Sequence, residues 1–385
     1  MSPLYLRSNN QPIVFMRKLL FLSLLSVTLF ACKSKTDNGP MVLETCEVDY
    51  KDLSADEIKA QPLDLQVPGI QDLVVYDSLL IFMTSDPQGM LKVYNKNTLQ
   101  PIASFCTRGR AANEFPGQIF RLNIQQYQRN GDLILPVMDN STFIQKEVNV
   151  SASLREGRTV IEQTMQRTFQ DFQSVVLNNG LEYAFMFYNP FEDELRSPGV
   201  LPLPVYAVTQ NNKIIKEIPV FKEHVQSESL SRLEFFYNGQ LLKHPDRNLV
   251  VMTMSALDYI LFFDIDKGRN FAIHQKGTPT AADVYVYNDW SKNPNCGSAA
   301  PMHIPGTDLF MCICASGQYT EQTLKEDRMG VELLVFDYEG NYKGGVKVDR
   351  NIHAYSYDPE TKTLYAANIG SEEIFTVPLG TFCSF

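Results

Sequence analysis

Tryptophan occurs once in 385 residues, at Trp290, and histidine five times. The histidines (His224, His244, His274, His303 and His353) stand singly. No His-Glu-x-x-His and no pair four residues apart occurs, which excludes the helical zinc motifs. Seven cysteines in a chain of this length are too few for a disulfide scaffold, and none forms Cys-x-x-Cys. Cations are also in deficit: 34 Lys and Arg face 44 Asp and Glu, a formal charge of −10. Such a chain lacks the clustered cations that phosphate backbones demand, so nucleic-acid binding is excluded. Gly-x-Ser-x-Gly, a glycine-rich phosphate loop and a dinucleotide fingerprint are all absent. No catalytic set, metal site or cofactor is therefore expected. What is abundant is aromatic surface to bury: 24 Phe and 18 Tyr, far from the composition of a disordered chain.

The first 40 residues carry an address. Arg17 and Lys18 precede Leu19–Phe30, a mostly apolar stretch shorter than the ~20 residues a bilayer-spanning helix needs. Leu29-Phe30-Ala31-Cys32 then places a small residue before a cysteine, the pattern of a bacterial lipoprotein signal. The cysteine is chemically required there, because its thiol takes the diacylglycerol and its freed amine a further acyl chain. Two or three chains hold a protein stably on a membrane. Residues 1–31 are read as the signal peptide, with translation starting at Met16, because residues 2–15 contain two prolines and fit no positively charged leader. Residues 32–42 form a lipidated tether rich in chain breakers. Residues 43–385 are read as one domain. The expected location is the bacterial cell envelope, on the outer membrane, with the exported protein anchored by lipid.

Within that domain strand signals dominate. Asp72–Tyr76, Leu79–Met83, Leu91–Tyr94 and Ile102–Cys106 are short runs of branched and aromatic residues, separated by Asp-Ser, Asp-Pro-Gln-Gly and Asn-Lys-Asn turns. Groups of this kind recur every ~45–60 residues, the period of propeller blades that must stack because each alone exposes apolar faces. The inner strands of the fourth and fifth groups are assigned to Glu234–Tyr237 and Val284–Tyr287. The last group has only Ala354–Tyr357, Thr363–Ala367 and Glu373–Val377, and Pro62–Val67 is expected to supply its missing strand. The fold class is thus all-β: a six-bladed β-propeller of four-stranded antiparallel blades closed by an N-terminal strand, with seven blades as the alternative. Thr159–Met165 is read either as the fourth strand of the second group or, within Thr159–Phe172, as a turn or two of helix, and Phe221–Phe235 is expected to hold a turn or two of helix as well.

Two stretches resemble a known family. Phe105-Cys-Thr-Arg-Gly-Arg-Ala-Ala-Asn-Glu-Phe115 is similar to the Gly-Arg-Gly-Pro-x-Glu-Phe turn after the first blade of TolB-like six-bladed lipoproteins. Leu334–Asn341 with Tyr357–Tyr365 resembles that family's closing repeats. Ala111-Ala112 stands where the family has Gly-Pro. The resemblance implies the propeller fold and an envelope location, and little about activity.

Candidate ligand-facing residues follow from the loops. Arg108, Arg110, Asn113 and Glu114 cluster in one connection between blades. They would reach the ring's mouth to bind an anionic or sugar-like ligand, or else Arg110 and Glu114 pair with each other and backbone to fix the turn. Trp290 would stack on carbohydrate if exposed, or fill a blade interface if half-buried. Tyr188–Arg196 places Phe191 and three acids on another connection. Cys312-Ile-Cys314 on a strand would point both thiols to one face, as core residues. Disulfides of Cys296 with Cys312 or Cys314, and of Cys46 with Cys383, are possible in an exported chain.

The functional expectation is a membrane-anchored binding module for a peptide, protein or glycan of the envelope. The alternative is a metal-dependent lactonase, lyase or hydrolase of the kind propellers also host. Mass spectrometry of the precursor should find no peptide spanning Tyr5–Arg7, and labelled palmitate should enter the protein but not Cys32→Ser. A Tyr5–Arg7 peptide, or label in Cys32→Ser, contradicts the leader reading.

Overall fold

The computed structural model describes residues 41–50, 57–121, 126–142, 144–166, 174–186, 205–210, 213–221, 239–254, 259–276, 298–315 and 331–380. Three short strands come first: β1 (Glu44–Val48), β2 (Glu57–Ile58) and β3 (Gln61–Pro62). Blade 1 is β4 (Ile70–Tyr76), β5 (Leu79–Thr84), β6 (Leu91–Asn95) and β7 (Pro101–Phe105). Blade 2 splits its inner strand into β8 (Ile119–Arg121) and β9 (Tyr127–Arg129), followed by β10 (Asp132–Asp139), β11 (Ile144–Asn149) and β12 (Ile161–Gln166). A helix, α1 (Val150–Glu156), links β11 to β12. Blade 3 is β13 (Ser174–Val176), β14 (Glu182–Met186), β15 (Val205–Gln210) and β16 (Lys213–Ile218). Blade 4 is β17 (Gly239–Lys243), β18 (Leu249–Met254), β19 (Tyr259–Asp264) and β20 (Arg269–Gln275). Blade 5 is β21 (Ser298–His303), β22 (Leu309–Ala315), β23 (Val331–Asp337) and β24 (Tyr342–Val348). Blade 6 is β25 (Ala354–Asp358), β26 (Thr363–Asn368) and β27 (Glu373–Pro378), with β3 as its outer strand. The protein is a six-bladed β-propeller.

Each blade is an antiparallel meander running outward from the axis. Middle strands are covered on both faces by neighbouring blades, so they read as unbroken apolar runs: Leu-Val-Val-Met-Thr-Met in β18 is buried throughout. Tight turns join the strands where a side chain caps the backbone. Asp264 Oδ1 accepts from Lys267 N at 3.0 Å while Gly268, at φ 67°, donates to Asp264 O at 2.8 Å. The Asp337–Gly340 turn is built alike. A Cβ at Gly340 would come within 2.8 Å of the Phe271 ring of blade 4, so only glycine fits. Apolar clusters fill the seams. Phe262 and Phe271 stack at 4.6 Å in blade 4, and Phe262 meets Phe310 of blade 5 at 6.0 Å. Cys312 and Cys314 share that same seam, on one face of β22 as the spacing predicts.

The N-terminal segment wraps the rim. Met41 bridges Phe221 just beyond blade 3, β1 runs parallel to the outer strand of blade 4, and β2 runs parallel to that of blade 5. Then β3 pairs antiparallel with β27, Gln61 opposite Thr376, and Leu63 N donates to Ile374 O at 2.9 Å. One stretch of chain thereby covers the exposed edges of three blades, edges that would otherwise offer unpaired backbone groups. The expected closing strand is present, two residues long and beginning one residue earlier than the sequence suggests.

Polar ties lock blade 6 to blade 1. Lys96 Nζ lies 2.7 Å from Asp358 Oδ2, both side chains 4% exposed. Val75 N donates to Ser356 Oγ at 3.0 Å and Gly69 N to Glu372 Oε1 at 2.7 Å. Burial works against both charges of the Lys96–Asp358 pair. The contact nonetheless holds the ammonium above its ordinary value and the carboxyl below.

Several expectations are corrected. The helix is α1, not Thr159–Phe172; Ile161–Gln166 of that stretch is strand β12, in line with the strand reading of Thr159–Met165, and the remainder from residue 167 lies outside the described residues. Asn149 accepts from Ala152 N at 2.7 Å as N-cap and Gly157 turns left-handed at φ 67°, a start and a stop signal legible in Asn-Val-Ser-Ala-Ser-Leu-Arg-Glu-Gly. Phe221 is described and its following residues are not. The inner strands of blades 4 and 5 are β17 and β21; Glu234–Tyr237 and Val284–Tyr287 lie outside the described residues. Cys312 and Cys314 are buried thiols, which removes the Cys296 pairings. Cys46 is disulfide-bonded, its partner lying outside the described residues.

Asp358→Ala leaves the buried Lys96 ammonium with only the exposed Glu360 carboxylate at 3.8 Å and should cost about 3 kcal/mol of unfolding free energy. The double variant Lys96→Met with Asp358→Leu should recover most of it in urea titrations. A single variant as stable as the parent contradicts the closing role of the pair.

Candidate functional site

All inner strands run in one direction, so their first residues meet at one mouth of the ring and their last residues at the other. The broken inner strand of blade 2 serves both: β8 pairs with the end of β10, and β9 with its beginning.

The mouth at the strand beginnings holds a cavity of about 400 Å³. Its central feature is the pair Asp72–Arg121, with Nε to Oδ2 at 2.8 Å and Nη2 to Oδ1 at 3.1 Å. Burial raises the Asp72 carboxyl while the Arg121 guanidinium and Leu73 N–H pull it back. This bidentate tie joins the inner strands of blades 1 and 2.

The mouth at the strand ends holds the larger cavity, about 810 Å³, and every blade contributes to its wall. Blade 1 gives Tyr76 and Asp77, blade 2 Tyr127, Gln145 and Glu147, and blade 3 Val175 to Asn178. Blade 4 gives Lys243 and Asp246, blade 5 His303, and blade 6 Tyr357 to Glu360. Gln128 donates to the Tyr76 hydroxyl, joining blades 1 and 2 at the lip. Arg129 Nη1 lies 2.9 Å from Glu147 and 3.1 Å from Glu162, and its Nη2 donates to the Tyr127 hydroxyl at 2.8 Å. Burial, helped by Glu147, pushes the Tyr127 hydroxyl up. Lys243 Nζ donates to the carbonyls of His244 at 2.7 Å and Pro245 at 3.1 Å, and burial lowers it.

Two histidines lie side by side beneath this wall. His244 Nε2 meets Asp308 Oδ1 at 2.7 Å, while its Nδ1 accepts from the backbone N–H of Asp246 and Arg247 at 3.1 and 3.2 Å. Those two donors fix the neutral tautomer with its proton on Nε2. Burial lowers this imidazole, opposed by Asp308. His303 Nδ1 contacts the Tyr338 hydroxyl at 3.0 Å; burial, then the neighbouring His244, holds it down to about 4.

The chemistry offered here is recognition by hydrogen bonds and charge. Among the described residues, no group of three or more His, Cys, Asp or Glu is arranged to hold a metal ion. Nor is any helix among them long and apolar enough to cross a membrane.

Arg108, Arg110 and Asn113 are exposed on the connection from β7 to β8, and Glu114 is half-buried there. Glu114 Oε2 accepts from Ala111 N at 2.9 Å, and Lys146 Nζ donates to the carbonyls of Ala112 at 3.0 Å and Glu114 at 2.5 Å. The loop is thus gathered by Glu114 and Lys146, and none of its four candidates lines either cavity. Trp290 and the Tyr188–Arg196 loop lie outside the described residues. The residues that do line the larger mouth escaped the sequence reading. One signal was available: β11 reads Ile-Gln-Lys-Glu-Val-Asn, polar on the Gln145–Glu147–Asn149 face where middle strands elsewhere are apolar.

Because the native His303 takes its proton only near pH 4 and the unfolded chain near 6.5, its contribution is full above about pH 6.5. It is lost as pH falls toward 4, by about 2 kcal/mol once partial solvent contact is allowed for. His303→Asn should flatten the urea midpoint between pH 7 and 4.5; an unchanged pH dependence contradicts a buried neutral imidazole.

No family model and no curated protein sequence matches the chain. Solved structures do match. A DUF4221 family member from Bacteroides vulgatus superposes with TM-score 0.51 at 11% identity, covering 89% of this chain and 98% of its own. A Bacteroides fragilis protein, provisionally described as exported, gives TM-score 0.46 at 10% identity over 82% and 86% of the two chains. At 11% identity the first likeness shows the propeller fold alone.

Proposed function

We propose that this chain is a TolB-like envelope lipoprotein, held on the outer membrane through Cys32, whose propeller binds a peptide, protein or glycan at the mouth where the inner strands end. The observation that carries the reading is the cavity of about 810 Å³ to which all six blades contribute. A concave site with a few convergent polar groups is the usual form of a ligand pocket, and propellers place function at such a mouth. Tyr76, Tyr127 and Tyr357 supply rigid aromatic wall, and the polar groups between them supply orientation. The lipid and the outer-membrane location rest on the Arg17-Lys18, Leu19–Phe30 and Ala31-Cys32 pattern.

Pro305 is exposed on the wall of this mouth, so Pro305→Trp should obstruct it with little loss of stability. Capture of envelope components from solubilised membranes should fall at least tenfold in that variant and stay unchanged in Arg110→Ala. Equal capture by Pro305→Trp and the parent overturns the mouth as the binding surface.

A further inference from the structure

Five of the six seams are closed by shared apolar clusters: blades 1–2, 3–4, 4–5, 5–6 and 6–1. Among the described residues, blades 2 and 3 share none. The cavity enters there instead, between Gln145 and Glu147 of β11 and Val175 and Val176. Gln145 is 3% exposed, yet its Oε1 accepts no hydrogen bond from any described residue. A buried acceptor left in this state costs stability that a ligand's donor would return. Glu147, beside it, is already tied to Arg129 at 2.9 Å.

Charge points the same way. Asp77, Asp246 and Glu360, exposed and from three different blades, stand around the opening. Among the described residues the lining has one cation, Lys243, engaged by two carbonyls, and just outside it Lys96 lies 3.8 Å from Glu360. Among the described residues the opposite mouth has one acid, Asp72, and Arg121 neutralises it. The two ends of the ring therefore differ in charge, one acidic and the other neutral among the described residues, and only the first pairs an acidic rim with an unanswered acceptor.

We infer that this mouth takes an alkylammonium or guanidinium group, as carried by a basic peptide, whose N–H meets Gln145 while the rim carboxylates attract its charge. The inference rests on the mouth being the ligand site. Exposed carboxylates act through solvent over about 8 Å at physiological salt, so binding must weaken as salt rises. A neutral sugar would gain nothing from the rim.

Calorimetry on the mature protein with tri-lysine, tri-lysine acetylated at every amine, and maltotriose tests this. Tri-lysine should bind, the acetylated form should not, and 500 mM NaCl should weaken binding at least fivefold relative to 50 mM. Gln145→Leu should weaken tri-lysine about tenfold without lowering the thermal midpoint, since it removes an unsatisfied acceptor. Asp246→Asn, at an exposed position, should weaken it about threefold. Binding of maltotriose with tri-lysine silent overturns the inference and leaves the mouth as a ligand site. Tri-lysine affinity indifferent to Gln145→Leu, to Asp246→Asn and to salt overturns the placement. Silence from all three probes overturns the cationic ligand, whereas the mouth itself falls only with undiminished capture by Pro305→Trp.

Discussion

A ring of blades has one seam that local chain order cannot make, and every other feature depends on it. Residues from the two ends of the domain must meet, at a chain-entropy cost that grows only logarithmically with the length enclosed. Apolar burial alone would accept several registers. The seam between blades 6 and 1 is instead specified by directional contacts: the 2.7 Å Lys96–Asp358 pair, Val75 N on Ser356 Oγ, and Gly69 N on Glu372. Beneath them lies an apolar cluster with Leu73, Phe82 and Ile374. Outside, β3 pairs with β27. The strap that ends in β3 has already paired with blades 4 and 5, so closure is tied to the covering of their edges.

Closure also makes the site. Asp358 ends an inner strand and belongs to the wall of the larger mouth, so the contact that fastens the ring fixes one side of the cavity. The wall is assembled from strand ends, which are rigid, and from turn residues such as Asp77 and Asp246 that project beyond them. Rigid scaffold beneath exposed polar groups is the arrangement that makes recognition inexpensive in ordering entropy. The two mouths diverge because one pairs its acid with Arg121, whereas the other, beyond its paired Glu147 and Asp358, presents Asp77 and Asp246 exposed at its rim.

The blades were legible because their middle strands are apolar on both faces and their turns begin with Asp or Asn. That holds for Leu79–Met83, Leu249–Met254 and Asp337–Gly340 alike. The closing strand was legible by subtraction, since Ala354–Val377 holds one strand too few. The strap along blades 4 and 5 was not: Glu44-Thr-Cys-Glu-Val48 and Glu57-Ile58 are too short and too polar to show a period, and parallel pairing at a rim leaves no local trace. The inner strands of blades 4 and 5 were misassigned because Gly239–Lys243 and Ser298–His303 are less apolar than stretches just upstream. The site was barely legible. Its residues come from six blades, and only the polar face of β11 departs from the local rule.

The dependence of the ring on its own N-terminal strap can be measured directly, by hydrogen exchange and urea unfolding of chains beginning at residue 41 and at residue 64. The account predicts that the shorter chain loses protection at Val75, Phe375 and Thr376 and unfolds at markedly lower urea. Equal protection and one superimposable transition in both chains would contradict it.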